Sequence, residues 1–316
     1  MLRGKRVVVT GGAGFIGSHL VERLAGANEV VVLDNLSVGR LQNLAGVAGP
    51  VKVVKASILD PKALHRTFRD ADVVFHLAAL TSVPESIERP LPYAETNMMG
   101  TLNVLDAARE AGAKRVVFAS TCAIYGRGTG PLKETARLNP LSPYAATKLA
   151  SEYFCRSAAA GGGLEAIALR LFNVYGPRQS VDSPYAGVIA KFVHAVAAGR
   201  PLTLHGDGKQ TRDFVYVEDV AGAFERASMA RDATGVFNIG SGRETSIVDV
   251  IEALEAIAGR KLRVKRESPR AGDIRRSRAD VRRAREGLHF EAKTRLEDGL
   301  RRALAAVRPT VRPTSS

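Results

Sequence analysis

The chain has 316 residues, 45% hydrophobic and 25% charged, a composition that supports a large buried core and excludes a disordered or fibrous protein. Its net charge of +14 calls for an anionic ligand, either nucleic acid or a phosphorylated small molecule. No apolar run reaches the roughly 18 residues that cross a bilayer, and the first strand begins too near Met1 for a signal peptide, so a cytoplasmic protein without membrane attachment is expected. From Val7 the sequence reads VVVTGGAGFIG. Four β-prone residues followed directly by a glycine cluster predict a buried strand, a tight turn and a helix starting near Phe15. Gly12, Gly14 and Gly17 satisfy G-x-G-x-x-G, and Gly11, Gly14 and Gly17 the looser G-x-x-G-x-x-G. Such glycines allow the turn, admit a pyrophosphate to the backbone and let the helix pack closely on the strand. The free N–H groups at the helix start then face the phosphates. A second strand, Glu29 to Asp34, ends in an acid about 20 residues on, where a ribose hydroxyl binds and a 2′-phosphate is repelled. That favours NAD over NADP.

After Asp34 the segment NLSVGRLQNL reads as a polar turn and short helix around the adenosine. A third strand, Val51 to Ala56, runs into Ser57, Ile58, Leu59 and Asp60, and Pro61 opens a helix. Val73 to Leu77 is a fourth strand, followed by Ala78 and Ala79, small enough for backbone to crowd a cofactor. A helix from about Tyr93 to Ala111, stopped by Gly112, leads to a fifth strand, Val116 to Ala119. This alternation predicts an α/β fold with a doubly wound parallel sheet, whose ligands bind at the carboxyl ends of the strands. Ser120 and Thr121 then lie beside the cofactor. Ser142, Pro143 and Tyr144 open a helix on which Lys148 follows Tyr144 by one turn. A tyrosine acting as base near neutrality needs its pKa lowered by about three units, which an ammonium one turn away and a positive nicotinamide can supply. The pair alone also fits an exposed tyrosine followed by a solvent lysine.

Gly161 to Gly163 turn into a sixth strand, Glu165 to Arg170. Beyond Pro177 the expectation is a helix from about Ala186 to Ala198, an extended PLTLHGDGKQTRDFVYV, a strand Val236 to Ile239, and helices near Ser246 to Ala258 and Thr294 to Val307. Between Arg260 and Arg285 the chain is strongly basic without interleaved aromatics, which suits solvated helix faces and a phosphorylated substrate better than nucleic acid. Cys122 and Cys155 lack metal-ligand spacing, so no metal is expected and both read as reduced buried thiols.

TGGAGFIG with DNLSVG, HLAAL, the Asn97 segment ending MGTLNVLDAA, ASTCAIYG, SPYAATK, LRLFNVYGPR, GDGKQTRDFVYVEDV, FNIGSG and PRAGDIRRSRAD stand here in the order of a known group's sequence blocks. By them the chain resembles the extended short-chain dehydrogenase/reductases, in the NAD-dependent epimerase/dehydratase family, and within it the nucleotide-sugar epimerases similar to UDP-glucose 4-epimerase. The resemblance implies a Rossmann NAD-binding domain over 1–172, joined by parts of 214–245, and a smaller nucleotide-sugar lobe over 173–213 and 246–307. The tail 308–316 is expected to be disordered.

Tyr144 resembles the base that takes the sugar hydroxyl proton. Lys148 resembles the residue that holds the nicotinamide ribose and lowers the phenol pKa, and Thr121 the one that hydrogen-bonds the reacting hydroxyl. Gly11, Gly14, Phe15, Ile16, Gly17, Asp34, Asn35, Ser37, Gly39, Leu77, Ala78, Ala79, Asn97, Phe172 and Val174 fall at the family's NAD-contacting positions. Where the family often has an acid at the adenine, this chain has Ser57, which leaves that contact to the Ser57 hydroxyl and the Ile58 backbone. Asn173, Arg212, Arg270 and Asp273 resemble contacts to the nucleotide diphosphate and its ribose. Val188 lines the substrate site, and Leu202 and Leu204 flank the uracil.

Absences discriminate among the family's reactions. Dehydratases carry Asp-Glu directly after the Thr of ASTCAIYG, and decarboxylases a Glu one position further; here Cys122 and Ala123 supply no carboxyl. What remains is oxidation at C4 by tightly bound NAD, rotation of the 4-keto sugar and re-reduction, converting UDP-glucose and UDP-galactose. The small Ser277 further implies acceptance of N-acetylated UDP-hexosamines. Other expectations stay open: an epimerase of UDP-glucuronate or of GDP- or dTDP-sugars, or a non-catalytic binder of NAD and RNA. Leu149, Tyr153 and Phe154 are compatible with the homodimer interface of similar proteins, and equally with an internal core face.

Overall fold

The computed structural model describes residues 1–128, 130–181, 186–269 and 274–307. Arg270, Asp273 and the tail 308–316 lie outside the described residues. The first half alternates strands and helices: β1 (Arg6–Thr10), α1 (Phe15–Ala25), β2 (Glu29–Asp34), β3 (Val51–Lys55), α2 (Pro61–Phe68), β4 (Val73–His76), α3 (Val83–Glu88), α4 (Pro90–Tyr93), α5 (Gly100–Glu110) and β5 (Arg115–Thr121). Then come β6 (Pro131–Leu132), α6 (Pro143–Ala160), β7 (Glu165–Leu171), β8 (Asn173–Tyr175), α7 (Val188–Ala197), β9 (Leu202–His205), β10 (Thr211–Arg212), β11 (Phe214–Tyr216) and α8 (Val217–Met229). The chain continues through β12 (Gly235–Ile239), β13 (Thr245–Ser246), α9 (Ile247–Ala258), β14 (Val264–Glu267), β15 (Arg278–Ala279), α10 (Arg282–Leu288) and α11 (Leu296–Ala306).

Seven strands form one parallel sheet in the order β12-β7-β5-β4-β1-β2-β3. This is the expected doubly wound α/β sheet. The order reverses at β1, which pairs with both β2 and β4, and a crevice opens there at the carboxyl ends of the strands. Both faces are covered by apolar clusters, which is why the strands read as continuous Val-rich runs instead of alternating ones. A third cluster packs α7, α9 and α11 against β8, β9 and β11. No helix among the described residues is long and apolar enough to cross a membrane.

Helix starts follow local chemistry. Ser142 accepts from the Ala145 N–H at 3.2 Å with Pro143 at the first turn of α6, and Asp60 caps α2 through Ala63 at 3.1 Å. Ser246 and Asp249 close a capping box on α9. By contrast α8, absent from the sequence expectations, starts directly after β11 with no side-chain cap, only Glu218 and Asp219 in its first turn marking its start. It packs on α1, where Glu225 takes the Leu2 N–H at 3.0 Å and the Arg23 Nε at 2.6 Å.

One expectation needs correction. The single helix from Tyr93 to Ala111 is broken: Ala94–Met99 is a π-helical turn between α4 and α5. Its cause is visible at Asn97, whose carbonyl accepts the hydroxyls of Thr101 at 2.5 Å and Ser151 at 2.9 Å. Those bonds pull the carbonyl out of the regular ladder, as π turns near functional sites often do.

Candidate active site

The glycine turn forms where the sequence placed it. Gly11 has φ +71°, and a Cβ on it would lie 2.7 Å from the Ala78 nitrogen. At Gly17 a Cβ would come within 2.1 Å of the Gly11 carbonyl oxygen, so only glycine lets α1 start this close to β1. No side chain caps α1, which leaves its first amides, at Phe15 and Ile16, directed at whatever enters the turn. Asp34 is buried and accepts from Ala13 N–H at 3.0 Å and Leu36 N–H at 2.8 Å, one bond to each oxygen. Each oxygen keeps an acceptor site for a ribose hydroxyl. Gly39 closes on this carboxylate, its Cβ position 2.8 Å from Asp34 Oδ2, and Ser37 is turned onto Asn35 Oδ1 at 2.8 Å. A backbone cradle that admits no side chain, uncapped helix amides and a carboxylate with spare acceptors fit a dinucleotide diphosphate and its ribose.

Along the rim, Ser57 accepts from the Leu59 N–H at 3.1 Å, and the Ile58 carbonyl is taken by Asn103 at 3.1 Å, which leaves the Ile58 N–H for an adenine. Leu77 continues β4 by donating to Thr10 O at 3.1 Å, and Asn97 brackets the next turn, accepting from Leu80 N–H at 2.9 Å and donating to Leu80 O at 3.0 Å. A residue the sequence reading passed over is His76. It is 1% exposed between Thr10 and Thr101, with Nδ1 2.8 Å from one hydroxyl and Nε2 3.0 Å from the other. Burial, with the charge of Lys148 behind it, pushes its pKa down to about 3 and keeps it neutral. Because the Thr101 hydroxyl already donates to Asn97, we assign the proton to Nε2.

Thr121 ends β5, its Oγ1 accepting from the Ala123 N–H at 3.2 Å, and its side chain also reaches the Tyr144 phenol as a hydrogen-bonding partner. Lys148 stands one turn further along α6, 3% exposed, with Nζ 4.1 Å from the Phe118 ring centre. The fold therefore brings Thr121, Tyr144 and Lys148 to one end of the sheet. The expected lowering of the phenol is absent in the chain by itself: burial pushes Tyr144 up to about 12, against the Thr121 contact, and pushes Lys148 down to about 7. A lysine that burial pushes toward its neutral form does not lower the phenol alone. Cys122 also departs from expectation: Cys155 is buried, whereas Cys122 is only partly buried and is influenced by Asp213 and Arg212, its thiol pushed up to about 12 by desolvation.

A cavity of about 800 Å³ between α7 and β9 is lined by Val188, Phe192, Thr203, Leu204, Gln210 and Arg212. That volume suits a nucleoside. Leu202 does not line it; at 1% exposure it is buried in the same cluster as Leu204 and Phe192, which do. Arg212 Nη1 donates to Thr211 O at 2.8 Å and Ile274 O at 2.6 Å, which fixes the guanidinium at the mouth. Asn173 heads β8, its N–H on Asp213 O at 3.0 Å, with Phe172 buried just before it and Val174 paired to Val215. Ser277 is 8% exposed in the irregular stretch directly before β15.

The reversed sheet order, the glycine cradle and a Tyr–Lys pair one turn apart define a dinucleotide-binding short-chain enzyme. The chain belongs to the NAD dependent epimerase/dehydratase family, whose family model matches residues 7–240. Among its relatives, a UDP-glucose 4-epimerase of Mycolicibacterium smegmatis is 41% identical over 93% of this chain and 96% of its own. A UDP-N-acetyl-alpha-D-glucosaminuronate decarboxylase of Bacillus cytotoxicus is 36% identical over 95% of this chain and 97% of its own. Among solved structures, a UDP-N-acetylglucosamine 4-epimerase of Methanobrevibacter ruminantium M1, in complex with UDP-N-acetylmuramic acid, superposes with a TM-score of 0.93 at 39% identity, covering 96% of this chain and 98% of that one. The family and fold are those the sequence motifs implied.

Proposed function

We propose that the protein is a UDP-glucose/UDP-galactose 4-epimerase that retains NAD and also accepts the N-acetylated hexosamine pair. The observation that carries the choice of reaction is the 3₁₀ turn Cys122–Tyr125 directly after Thr121. Relatives include a decarboxylase, yet here the positions beside Thr121 are a neutral thiol and Ala123, so neither of those two positions supplies a carboxyl for elimination or loss of CO₂.

In this reading Tyr144 takes the proton of the 4-hydroxyl, which Thr121 holds by hydrogen bond. Bound NAD would supply hydride acceptance and return at C4. Its positive nicotinamide is also what can lower the phenol from its buried value toward neutrality. Lys148 holds the adjoining ribose. Asn173 and Arg212, with Arg270, grip the diphosphate, Asp273 takes the ribose hydroxyls, and Leu204 with Thr203 flanks the base. The tether lets the 4-keto sugar turn over while the nucleotide stays put. Ser277 leaves room for an acetamido group at C2. The NAD-binding part is proposed to span 1–172 with parts of 214–245, and the nucleotide-sugar lobe 173–213 and 246–307.

A homodimer is proposed through α3 to α6, where Ile87, Leu91, Met99, Leu102 and Tyr153 expose apolar surface. Leu149 and Phe154 pack against internal clusters instead. Incubating the purified protein, without added NAD, with UDP-galactose, UDP-N-acetylgalactosamine and UDP-galacturonate separately tests the function. The first two are expected to give their C4 epimers. Conversion of the uronate alone would replace this substrate assignment with the uronate one.

A further inference from the structure

We propose that Glu152 is a positioning residue for the Tyr144–Lys148 pair, anchoring the Ser120–Thr121 end of β5 and supplying the negative charge that keeps Lys148 an ammonium. This rests on the roles given to Tyr144 and Lys148 above. Tyr144, Lys148 and Glu152 follow one another at intervals of four along α6, so they form a single stripe facing the sheet. Glu152 is 6% exposed and sits one turn below Lys148. Its Oε1 accepts the Ser120 hydroxyl at 2.5 Å, and its Oε2 accepts Arg170 Nη2 at 2.8 Å. Ser120 directly precedes Thr121, so this bond ties the reacting end of β5 to the helix that carries the base.

Arg170 is held from its other side. Its Nη1 donates to the Tyr125 hydroxyl and the Glu134 carbonyl, both at 2.9 Å, and Tyr125 donates to Asn238 Oδ1 at 2.6 Å. The guanidinium therefore fixes where the Glu152 carboxylate points. A buried ion pair alone stabilises little over an apolar replacement, so stability is a weak reason for this one. The charge acts on Lys148, whose Nζ makes no hydrogen bond to a carboxylate among the described residues.

Near neutrality the neighbours of Lys148 are otherwise uncharged. His76 from β4 is held neutral, and burial raises Tyr144, Cys155, Cys122, Tyr125 and Tyr93. Glu85 of α3 is engaged with the Tyr93 hydroxyl at 3.1 Å, Arg115 of β5 pairs with Glu165, and Glu95 of the π turn and Asp106, Arg109 and Glu110 of α5 are exposed. Glu152, ion-paired with Arg170 at 2.8 Å, is the carboxylate that acts on Lys148 from its own helix. Burial drives the lysine toward its neutral form, and Cys155 and Glu152 both work against burial.

The test is the titration of Lys148 itself, followed by NMR of protein carrying ¹³C-labelled lysine, the signal being assigned with Lys148→Arg. In Glu152→Gln the midpoint should fall by about one pH unit or more, because a like-shaped amide keeps the Ser120 bond and loses the charge. The basic limb of the kcat profile should move with it. An unchanged midpoint overturns the charge role. Should that variant not fold, Glu152→Gln/Arg170→Gln replaces the pair with neutral amides, and a smaller fall is expected, with no fall overturning the role. Ser120→Ala keeps the charge and cuts the anchor: kcat should drop about tenfold with KM and the Lys148 midpoint unmoved, and an unchanged kcat overturns the anchoring role. A wild type that turns over none of the sugars would defeat the epimerase reading, while the midpoint still decides the charge proposal by itself.

Discussion

The glycine cradle and the proposed sugar-nucleotide site are built by different means. The cradle comes from two short stretches, the β1 turn and the end of β2, and its shape is backbone: Gly17 has no room for a Cβ, Gly11 turns through positive φ, and Asp34 is clamped by two amides. The proposed sugar-nucleotide site would collect side chains from β5, β8, β9, β10 and the approach to β15, none forced by its sequence neighbours. A site made of backbone fixes one cofactor class, whereas a site made of side chains can be retuned residue by residue. Relatives named for epimerisation and for decarboxylation accordingly share this fold.

Substitutions in the two regions should separate accordingly. Gly17→Ala pushes α1 off β1 and should cost more than about 3 kcal/mol of stability along with bound NAD, measured by thermal melting and by nucleotide released on denaturation. A variant that keeps both would remove the steric argument for the cradle. Tyr144→Phe should fold and bind normally yet lose about a thousandfold in kcat, since it deletes only the proton acceptor; a loss under tenfold would assign the base elsewhere. Ser277→Tyr fills the sugar side and should lower kcat/KM for UDP-N-acetylgalactosamine about a hundredfold relative to UDP-galactose, an effect of roughly 2.7 kcal/mol. Equal losses for both sugars would mean that Ser277 does not read C2.

An effect seen only below neutral pH belongs to His76, held between Thr10 and Thr101. Its folded pKa, about 3, lies below its ordinary 6.5, so between those values the unfolded chain binds the extra proton. Stability then falls as pH drops through that window, by at most about 1.4 kcal/mol per unit, and is independent of this group above it. Urea unfolding of wild type and His76→Gln at several pH values should show the slope in the wild type and a shallower one in the variant. Parallel slopes would place the charge-sensitive core elsewhere.

This division also explains what the sequence disclosed. Gly11, Gly17 and Asp34 were legible because contiguous residues impose the turn, and the parallel sheet because each buried strand is a short apolar run. Tyr144 and Lys148 were legible as one turn of one helix. The π turn at Asn97 was not, since its cause is the Ser151 hydroxyl arriving from α6, 54 positions away. Nor was α8, which lacks a cap, or the burial of Leu202, which depends on which face of β9 meets the third cluster. His76 and Glu152 went unremarked for the same reason: their partners Thr10, Thr101, Ser120 and Arg170 come from other elements.

The central claim is that C4 of a UDP-hexose is oxidised and re-reduced within one closed site. The most direct measurement is conversion of UDP-galactose carrying deuterium at C4, in ordinary water and without added NAD, with the product examined by NMR. UDP-glucose that retains the deuterium at C4 is the predicted result. Product in which solvent hydrogen has replaced it would contradict the claim, because the hydrogen would then have left as a proton and not been carried by the bound cofactor.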